Sequence, residues 1–273
     1  MSSLSKPQIA LVGFGGWGKN IARTLNDLGA LKTVVDTGYV PGQAVPGLAA
    51  SFATLDTMLA DDTITGVAIA TPTPTHFDVA KVALQAGKHV FLEKPFVADK
   101  DQLNQLAALQ GDRVLMVGHL MIYHPAFLKM KAMCQAGDIG QIIKIETYRK
   151  NFGKVHAHEG VVWDIGPHDF SMVYHLMQKK PHRILATSLS YIHPHHADTA
   201  TVVLDYGSAQ AETQLSRIHP TKEQKVVVMG TKGALVLDDT AVWPKKLVHY
   251  PHTVICGDSA LQRAEGQPVS LEY

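Results

Sequence analysis

Cysteine is scarce in this chain, and long apolar runs are missing from it. Two cysteines in 273 residues, Cys134 and Cys256, are too few for a disulfide framework, so we expect free thiols in a reducing compartment. Glycines interrupt the N-terminal apolar segment early, and no later window reaches about 18 uninterrupted apolar residues. From these absences we expect neither a signal peptide nor a membrane span, and we predict a soluble, cytoplasmic protein.

The chain also has no marked excess of positive or negative charge. Lys and Arg number 25 against 24 Asp and Glu, a formal net charge of +1, and charged residues make up only 18% of the chain. A general nucleic-acid binder is disfavoured, because phosphate recognition needs clustered positive charge. The 46% of hydrophobic residues is ample for a packed interior, so disorder is excluded as well.

Short apolar runs alternate with amphipathic stretches through the first half. The amphipathic stretches include Trp17 to Leu28 and Phe77 to Ala86. This alternation predicts a doubly wound α/β domain over residues 1–120, with helices on both faces of a parallel sheet. The five candidate strands are Gln8 to Val12, Lys32 to Val35, Gly66 to Ala70, His89 to Leu92 and Val114 to Val117.

The rhythm changes after about Pro125. Helical patterns at Ala126 to Ala136 and near Phe170 to Met177 accompany a series of strand-like runs separated by turn residues. Residues 121–273 therefore predict an α+β substrate domain with an open, mainly antiparallel sheet. We expect its outer face to pack against another subunit, giving a homodimer or homotetramer. The strand-like runs are Ile142 to Arg149, Ile184 to Ser190, Thr201 to Asp205, Gln210 to Leu215, Lys225 to Met229 and Leu235 to Leu237.

A glycine motif follows the first candidate strand and opens a helix. Its residues are Gly13, Phe14, Gly15, Gly16, Trp17 and Gly18. Glycines permit the tight turn and the close approach of a pyrophosphate to amides at a helix N-terminus. Asp36 ends the second strand, where a carboxylate can accept hydrogen bonds from a ribose diol and repel a 2′-phosphate. The pattern predicts a dinucleotide site that prefers NAD to NADP.

Three further motifs resemble the glucose-fructose oxidoreductase and inositol dehydrogenase (Gfo/Idh/MocA) family across nearly the whole chain. They are Ala70-Thr71-Pro72-Thr73-Pro74-Thr75-His76, Glu93-Lys94-Pro95 after a strand, and Asp164-Ile165-Gly166-Pro167-His168-Asp169. The resemblance implies a Rossmann oxidoreductase in which Thr71, Pro72, His76, Glu93 and Lys94 contact the cofactor. For Glu93 two roles stay open, binding a hydroxyl or positioning the following turn.

Within the family, other segments are similar to the branch that oxidises UDP-N-acetylglucosamine or its uronate at the 3-hydroxyl. The branch supplies a keto sugar to an aminotransferase for surface polysaccharide or lipid A (lipopolysaccharide) biosynthesis. The resemblance implies substrate contacts from Tyr123, His124 and Trp163, with Arg149, Asn151 and Lys154 as candidates for the diphosphate. The segments are Gly118 to Pro125, Val162-Trp163-Asp164 and His219 to Gln224.

The chemistry itself requires a base for the hydroxyl proton beside a hydride acceptor. Pro167 suits the start of a helix, so His168 is expected in a first turn whose dipole favours a neutral imidazole. A histidine starts near pKa ~6.5 and a lysine near ~10.4, so we assign His168 as base and Lys94 as the cation that stabilises a developing alkoxide. Asp164 is placed to bind substrate or to fix Lys94.

Two departures limit the resemblance. Many relatives have Arg-Phe-Asn-Pro where Ile122-Tyr123-His124-Pro125 stands here. An arginine that could pair with a uronate carboxylate is therefore missing, which favours UDP-N-acetylglucosamine over its uronate. The chain also stops at Tyr273, whereas relatives usually continue through further C-terminal helices. We therefore expect either a naturally short protein or an incomplete chain.

Three alternatives remain at this stage. The substrate can be a free sugar or a polyol such as inositol. Eight of the 15 histidines lie between His156 and His196, a density that allows a metal-binding module, although no Cys accompanies them and we expect no physiological metal site. The third alternative is an idle NAD-bound sensor.

Overall fold

The computed structural model describes residues 6–97, 99–153, 159–253, 262–263 and 265–271. The chain divides into two compact units, Met1–Gly118 and His119–Tyr273. The division falls at the start of the segment where the sequence pattern changes. Each unit has its own sheet and its own buried core.

The first unit contains one six-stranded sheet in the order β3-β2-β1-β4-β5-β6. Every neighbouring pair is parallel. This order reverses direction beside β1, which is where a doubly wound sheet binds its ligand, at the carboxyl ends of the strands. The strands are β1 (Ile9–Val12), β2 (Leu31–Val35), β3 (Ser51–Ala53), β4 (Gly66–Ile69), β5 (His89–Leu92) and β6 (Leu115–Val117).

Helices cover both faces of this sheet. They are α1 (Gly16–Asp27), α2 (Leu55–Leu59), α3 (His76–Gln85) and α4 (Lys100–Gln110). The three central strands β2, β1 and β4 are buried along most of their length, which explains their continuous apolar runs. Two apolar clusters form the core, one around Ile69 and Leu92 and one around Leu11 and Val34.

The second unit contains a nine-stranded sheet in the order β14-β13-β12-β11-β7-β10-β9-β8, with β15 paired to β13. Among the described strands, β7 and β10 form a parallel pair and the other pairs are antiparallel. The strands are β7 (Ile142–Phe152), β8 (Arg183–Leu189), β9 (Thr199–Asp205), β10 (Gln210–Ser216), β11 (Ile218–Gly230), β12 (Gly233–Asp238), β13 (Leu247–Thr253), β14 (Gln262–Arg263) and β15 (Gln267–Pro268).

Three helices accompany this sheet: α5 (Pro125–Ala136), α6 (Val161–Asp164) and α7 (Gly166–Met177). A core cluster joins Phe127 and Met130 of α5 and Met172 of α7 to Ile145 and Val228 of the sheet. The inward residues alternate with outward ones along β9 and β10, as a sheet with one covered face requires.

The expected fold class, a Rossmann domain followed by an α+β domain with a mainly antiparallel sheet, is confirmed. Strand β3 was missed because three residues carry no usable periodicity, and β13 because its pattern includes Pro251. Helix α4 was also missed, although Asp99 caps it by accepting the amide of Gln102 at 2.9 Å. In the described part of the chain, no helix combines the length and apolarity that crossing a bilayer requires.

Candidate active site

Two glycines of the motif are required by the packing of the turn itself. Gly13 has φ +96°, and a Cβ there would lie 2.7 Å from the carbonyl carbon of Ala70. A Cβ on Gly18 would lie 2.0 Å from the carbonyl oxygen of Gly13. No larger residue fits at either position without moving the backbone.

The other two glycines leave space instead. A Cβ on Gly15 or Gly16 would meet no protein atom within 4 Å, and both residues are exposed at the first turn of α1. The unpaired amides of a helix N-terminus favour the binding of an anion. A side chain at either position would occupy the space through which the anion reaches these amides. The turn therefore has the shape and polarity that the pyrophosphate of a dinucleotide needs.

Asp36 follows β2 and is tied to the same turn. Its carboxylate accepts the amide of Phe14 at 2.6 Å and the amide of Gly38 at 2.8 Å. A carboxylate has about four acceptor positions, so two remain for a ribose diol. Phe14 contributes its amide here while its ring is buried beneath, edge-on to Tyr39 and Phe52. These residues fit the adenosine half of NAD.

Glu93 follows β5, and the residue is 6% exposed. One oxygen accepts the indole N–H of Trp17 at 2.8 Å, and the other accepts the backbone amide of Lys94 at 3.2 Å. Burial raises the pKa of the Glu93 carboxyl, and these two hydrogen bonds oppose the shift. Of the two roles left open by the sequence, positioning is the one with contacts in the structure.

Thr71, Pro72 and His76 lie after β4. His76 is 1% exposed, and its two ring nitrogens lie 2.9 Å from the carbonyl oxygens of Thr71 and Pro95. The Lys94–Pro95 peptide is cis. His76 was expected to contact the cofactor, but its ring faces protein carbonyls, so it joins the Thr71 turn to the turn that carries Lys94.

The α6–α7 region carries the residues expected to handle the substrate. Asp164 is the last residue of α6, and His168 lies in the first turn of α7 beside Pro167. Trp163 is 52% exposed. A histidine in a helical first turn experiences the positive end of the dipole, which favours the neutral ring that a base needs.

Arg149 was expected to reach a diphosphate, and in the structure its guanidinium takes part in a buried ion pair. Its Nε donates to Asp169 at 2.5 Å, with residue exposures of 8% and 0%. Burial raises the pKa of the Asp169 carboxyl, and the guanidinium opposes that shift. Since Asp169 adjoins His168, the pair anchors the first turn of α7. Asn151 is half-buried near the end of β7, and Lys154 lies outside the described residues.

A second buried ion pair was missed by the sequence interpretation. Arg217 donates to Asp198 at 2.7 Å and to the carbonyl of Glu159 at 3.1 Å, and its exposure is 2%. Beside it, Val161 donates its amide to Ala197 at 2.8 Å, so the start of α6 is fixed. The available signal was an arginine at the end of an alternating strand, because such a buried cation needs an acid.

His124 was expected to bind substrate, and in the structure its ring contacts three groups of the protein. Its Nδ1 accepts the amide of Ala126 at 3.2 Å, which caps α5, and its Nε2 lies 3.4 Å from Asp239. The ring also stacks on Trp243 at 5.6 Å. Burial lowers the pKa of His124, which keeps the ring neutral. Tyr123 next to it is 56% exposed and remains available.

The described residues contain no group of three His, Cys, Asp or Glu side chains that could hold a metal ion. His193 and His196 stack at 4.6 Å, while His156 and His158 lie outside the described residues. Burial raises the pKa of the Cys134 thiol to about 12, so this cysteine is a poor nucleophile. Cys256 also lies outside the described residues.

Two family profiles match the chain. Residues 8–119 match the oxidoreductase family with an NAD-binding Rossmann fold, and residues 127–236 match the GFO/IDH/MocA C-terminal domain. The expected NAD cofactor is confirmed by the family description. Relatives are named oxidoreductases and dehydrogenases, which agrees with the expected enzyme class.

Curated relatives with specific names include dehydrogenases of two kinds. UDP-N-acetylglucosamine 3-dehydrogenase of Acidithiobacillus ferrooxidans is 34% identical over 154 residues, 55% of this chain and 47% of that protein. Inositol 2-dehydrogenase of Rhizobium meliloti is 26% identical over 249 residues, 85% of this chain and 76% of that protein. The chain spans about half the length of the first curated relatives that it matches.

A solved structure of the Acidithiobacillus ferrooxidans enzyme shares the fold. Its TM-score is 0.82 at 24% identity, covering 99% of this chain and 85% of that one. At this identity the likeness concerns the fold alone.

Proposed function

The chain belongs to the Gfo/Idh/MocA family of NAD-binding oxidoreductases, and from that membership we propose that it oxidises the 3-hydroxyl of a UDP-linked N-acetylated hexose. The substrate is UDP-N-acetylglucosamine or its uronate, and the product is the 3-keto sugar. The observation that carries the proposal is the helix pair α6–α7, which presents Trp163, Asp164 and His168 over six residues and is fixed by buried ion pairs. The first unit holds the dinucleotide, and the second binds the sugar.

Each side chain has one task in this proposal. Bound NAD supplies the acceptor for the hydride that leaves the carbinol carbon. His168 accepts the hydroxyl proton, so the carbon–oxygen bond becomes a carbonyl with proton and hydride both accounted for. Lys94 offers an ammonium to the developing alkoxide, and Asp164 orients the hydroxyl. Trp163 and Tyr123, both exposed aromatics, offer faces to the sugar or the base.

The ion pair of Arg149 weakens the argument for a diphosphate ligand at this position. Three residues were suggested for the diphosphate. Arg149 forms an ion pair with Asp169, Lys154 lies outside the described residues, and Asn151 is described and carries no charge. The nucleotide part of the proposal therefore rests chiefly on the resemblance to the A. ferrooxidans relative.

Oxidation of a free polyol is the second candidate. It is favoured by the R. meliloti inositol 2-dehydrogenase, whose match extends over 85% of this chain and 76% of that protein. A polyol needs no diphosphate ligand, which agrees with the engagement of Arg149.

The decisive experiment offers NAD with a panel of UDP-sugars, inositol and glucose, and follows NADH formation. An aminotransferase that removes the 3-keto product would draw an unfavourable equilibrium forward. We expect turnover with UDP-N-acetylglucosamine. Turnover of inositol or glucose alone would replace the proposal by its alternative, and sedimentation of a monomer at micromolar concentration would remove the expected homo-oligomer.

The cofactor preference has its own test. Asp36→Ala removes the acceptor for the ribose diol and should weaken NAD binding about tenfold, roughly one hydrogen bond to a charged group, while relaxing discrimination against NADP. Calorimetry that finds NADP bound more tightly than NAD by the wild-type protein would contradict the role given to Asp36.

A further inference from the structure

We propose that Trp17 and Glu93 couple occupancy of the glycine turn to the position of Lys94, an inference that rests on the proposed function. Trp17 belongs to the first turn of α1, and Glu93 follows β5. Their strands are not neighbours, because β4 lies between β1 and β5. The 2.8 Å bond from indole to carboxylate therefore joins two separate loops at the carboxyl edge of the sheet.

One carboxylate makes both connections. The oxygen that does not face Trp17 accepts the amide of Lys94 at 3.2 Å. Both partners are N–H donors, so the ionised, acceptor-only carboxylate satisfies them together. A movement of the indole that carries the carboxylate with it must also displace the amide of Lys94.

Glu93 has little freedom to respond in any other way. A Cβ on Gly118 would lie 2.8 Å from its Oε1 and 3.1 Å from the ring of Phe91, so the carboxylate is enclosed on that side. On the other side of the turn, His76 holds the carbonyl of Pro95 at 2.9 Å. The backbone around Lys94 is thus fixed at its own amide, by Glu93, and at the carbonyl of Pro95, by His76. Of these two contacts, the one made by Glu93 continues to the glycine turn through Trp17.

Trp17 is the member of this connection that a ligand can reach. Its side chain is 46% exposed, although its N–H is bound. It adjoins Gly15 and Gly16, whose open side faces the expected pyrophosphate. A diphosphate bound at this helix N-terminus would lie against the residue whose side chain contacts Glu93. Trp17 and Glu93 are positioning residues here, and Lys94 is the group that is positioned.

The test uses ADP, which carries the diphosphate but no nicotinamide, so any effect on Lys94 must pass through the protein. Lys94 is labelled in brief pulses with an acetylating N-hydroxysuccinimide ester and quantified by peptide mass spectrometry, with exposed Lys100 of α4 as internal reference. ADP should change the Lys94 labelling rate of the wild-type protein about fivefold, the lower end of couplings between sites.

Trp17→Phe is the matched variant, because it keeps an aromatic ring and removes the N–H donor. The ADP effect on Lys94 should vanish in it, while calorimetry still detects ADP binding. Glu93→Gln is the second variant, since its amide can still meet one donor but not both, and it too should lose the effect. Circular dichroism verifies that both variants are folded.

The outcomes separate the coupling from the proposed function. Failure of the wild-type protein to bind ADP or NAD by calorimetry would overturn both. Binding without any change in Lys94 labelling would overturn the coupling and leave the NAD site intact, as would an equal change in wild type and Trp17→Phe.

Discussion

The two units hold their candidate site residues by different physical means. In the first unit the turns at the strand ends are held by backbone groups: Gly13 and Gly18 pack against carbonyls, Asp36 accepts two amides, and His76 faces two carbonyl oxygens. In the second unit the helix pair α6–α7 is held by buried side-chain charges, Arg149 with Asp169 and Arg217 with Asp198.

This difference determines which substitutions each unit tolerates. A turn held by backbone contacts is sensitive to an added Cβ and little affected by surface charge. A helix held by buried ion pairs is sensitive to removal of one partner, because the other charge is then buried without compensation. The first unit is therefore vulnerable in shape and the second in charge.

The largest expected effect lies in the second unit, at the residue that the ion pairs support. His168→Ala should slow hydride transfer by about 10² to 10⁴, the usual contribution of a general base, and remove the acidic limb of the pH profile. Lys94→Ala, in the first unit, should also be slow but keep that limb. Pre-steady-state NADH formation across pH is the measurement.

The control for this prediction lies in the same helix. His175, in the last turn of α7, contacts the carbonyl of Ser171 and has no assigned role in the reaction. His175→Ala should leave the rate and the acidic limb unchanged. An acidic limb that survives in His168→Ala and disappears in Lys94→Ala would reverse the roles.

The second prediction concerns the buried charge itself. Arg149→Gln leaves Asp169 buried and unpaired, and should lower the free energy of unfolding by about 3–5 kcal/mol in urea titrations. The control is Arg183, whose side chain is 66% exposed and pairs with Asp205. Arg183→Gln should lower the free energy of unfolding by less than about 0.5 kcal/mol. Equal costs for the two variants would contradict the role given to buried charge in the second unit.

The sequence predicted the first unit better than the second for a physical reason. Glycine turns, parallel strands and an acid at a strand end are local patterns, so Gly13, Gly18 and Asp36 are recognisable from their spacing alone. His168 in a first turn was equally local, because Pro167 marks the helix start.

The contacts that the sequence did not predict join residues that are distant along the chain. Arg149 looks like a solvent-facing cation until β7 is paired and its alternation places Ile145, Thr147 and Arg149 on the buried face. Asp169, 20 residues later, supplies the compensating charge. The role of His124 depended in the same way on Asp239 and Trp243, which no local pattern connects to it.

The third prediction tests shape in the first unit. Gly18→Ala places a Cβ 2.0 Å from a backbone oxygen and should cost about 1–3 kcal/mol of stability, as overpacking does, together with NAD binding. Gly15→Ala meets no protein atom within 4 Å, so its unfolding curve should match the wild type while NAD binding weakens. Thermal unfolding and calorimetry on both variants would show whether stability and binding separate in this way.

The smallest expected effect is a pH dependence that has opposite signs at two acids. In the first unit, burial raises the pKa of Glu93 above its ordinary value of 4.5. At a pH between 4.5 and the pKa in the folded chain, the folded chain therefore binds more protons at this residue than the unfolded chain does. Its contribution to stability therefore falls as pH rises above 4.5. At Asp238, in β12, burial raises the pKa, but hydrogen bonds from Thr240 and the charge of Lys225 outweigh it and leave the pKa below 3.8. The Asp238 contribution is present above 3.8 and is lost as pH falls below it.

Substitution of each acid by its amide isolates the pH-dependent contribution of that acid to stability, because Gln and Asn do not titrate. The unfolding free energy of wild type minus Glu93→Gln should decrease as pH rises from 4.5, whereas that of wild type minus Asp238→Asn should decrease as pH falls through 3.8. Urea titrations across this range measure both differences. A Glu93 difference that grows with rising pH would mean that the Trp17 and Lys94 hydrogen bonds outweigh burial. Glu93 would then be an ordinary ion-stabilised acid, and the first unit would use buried charge as the second does.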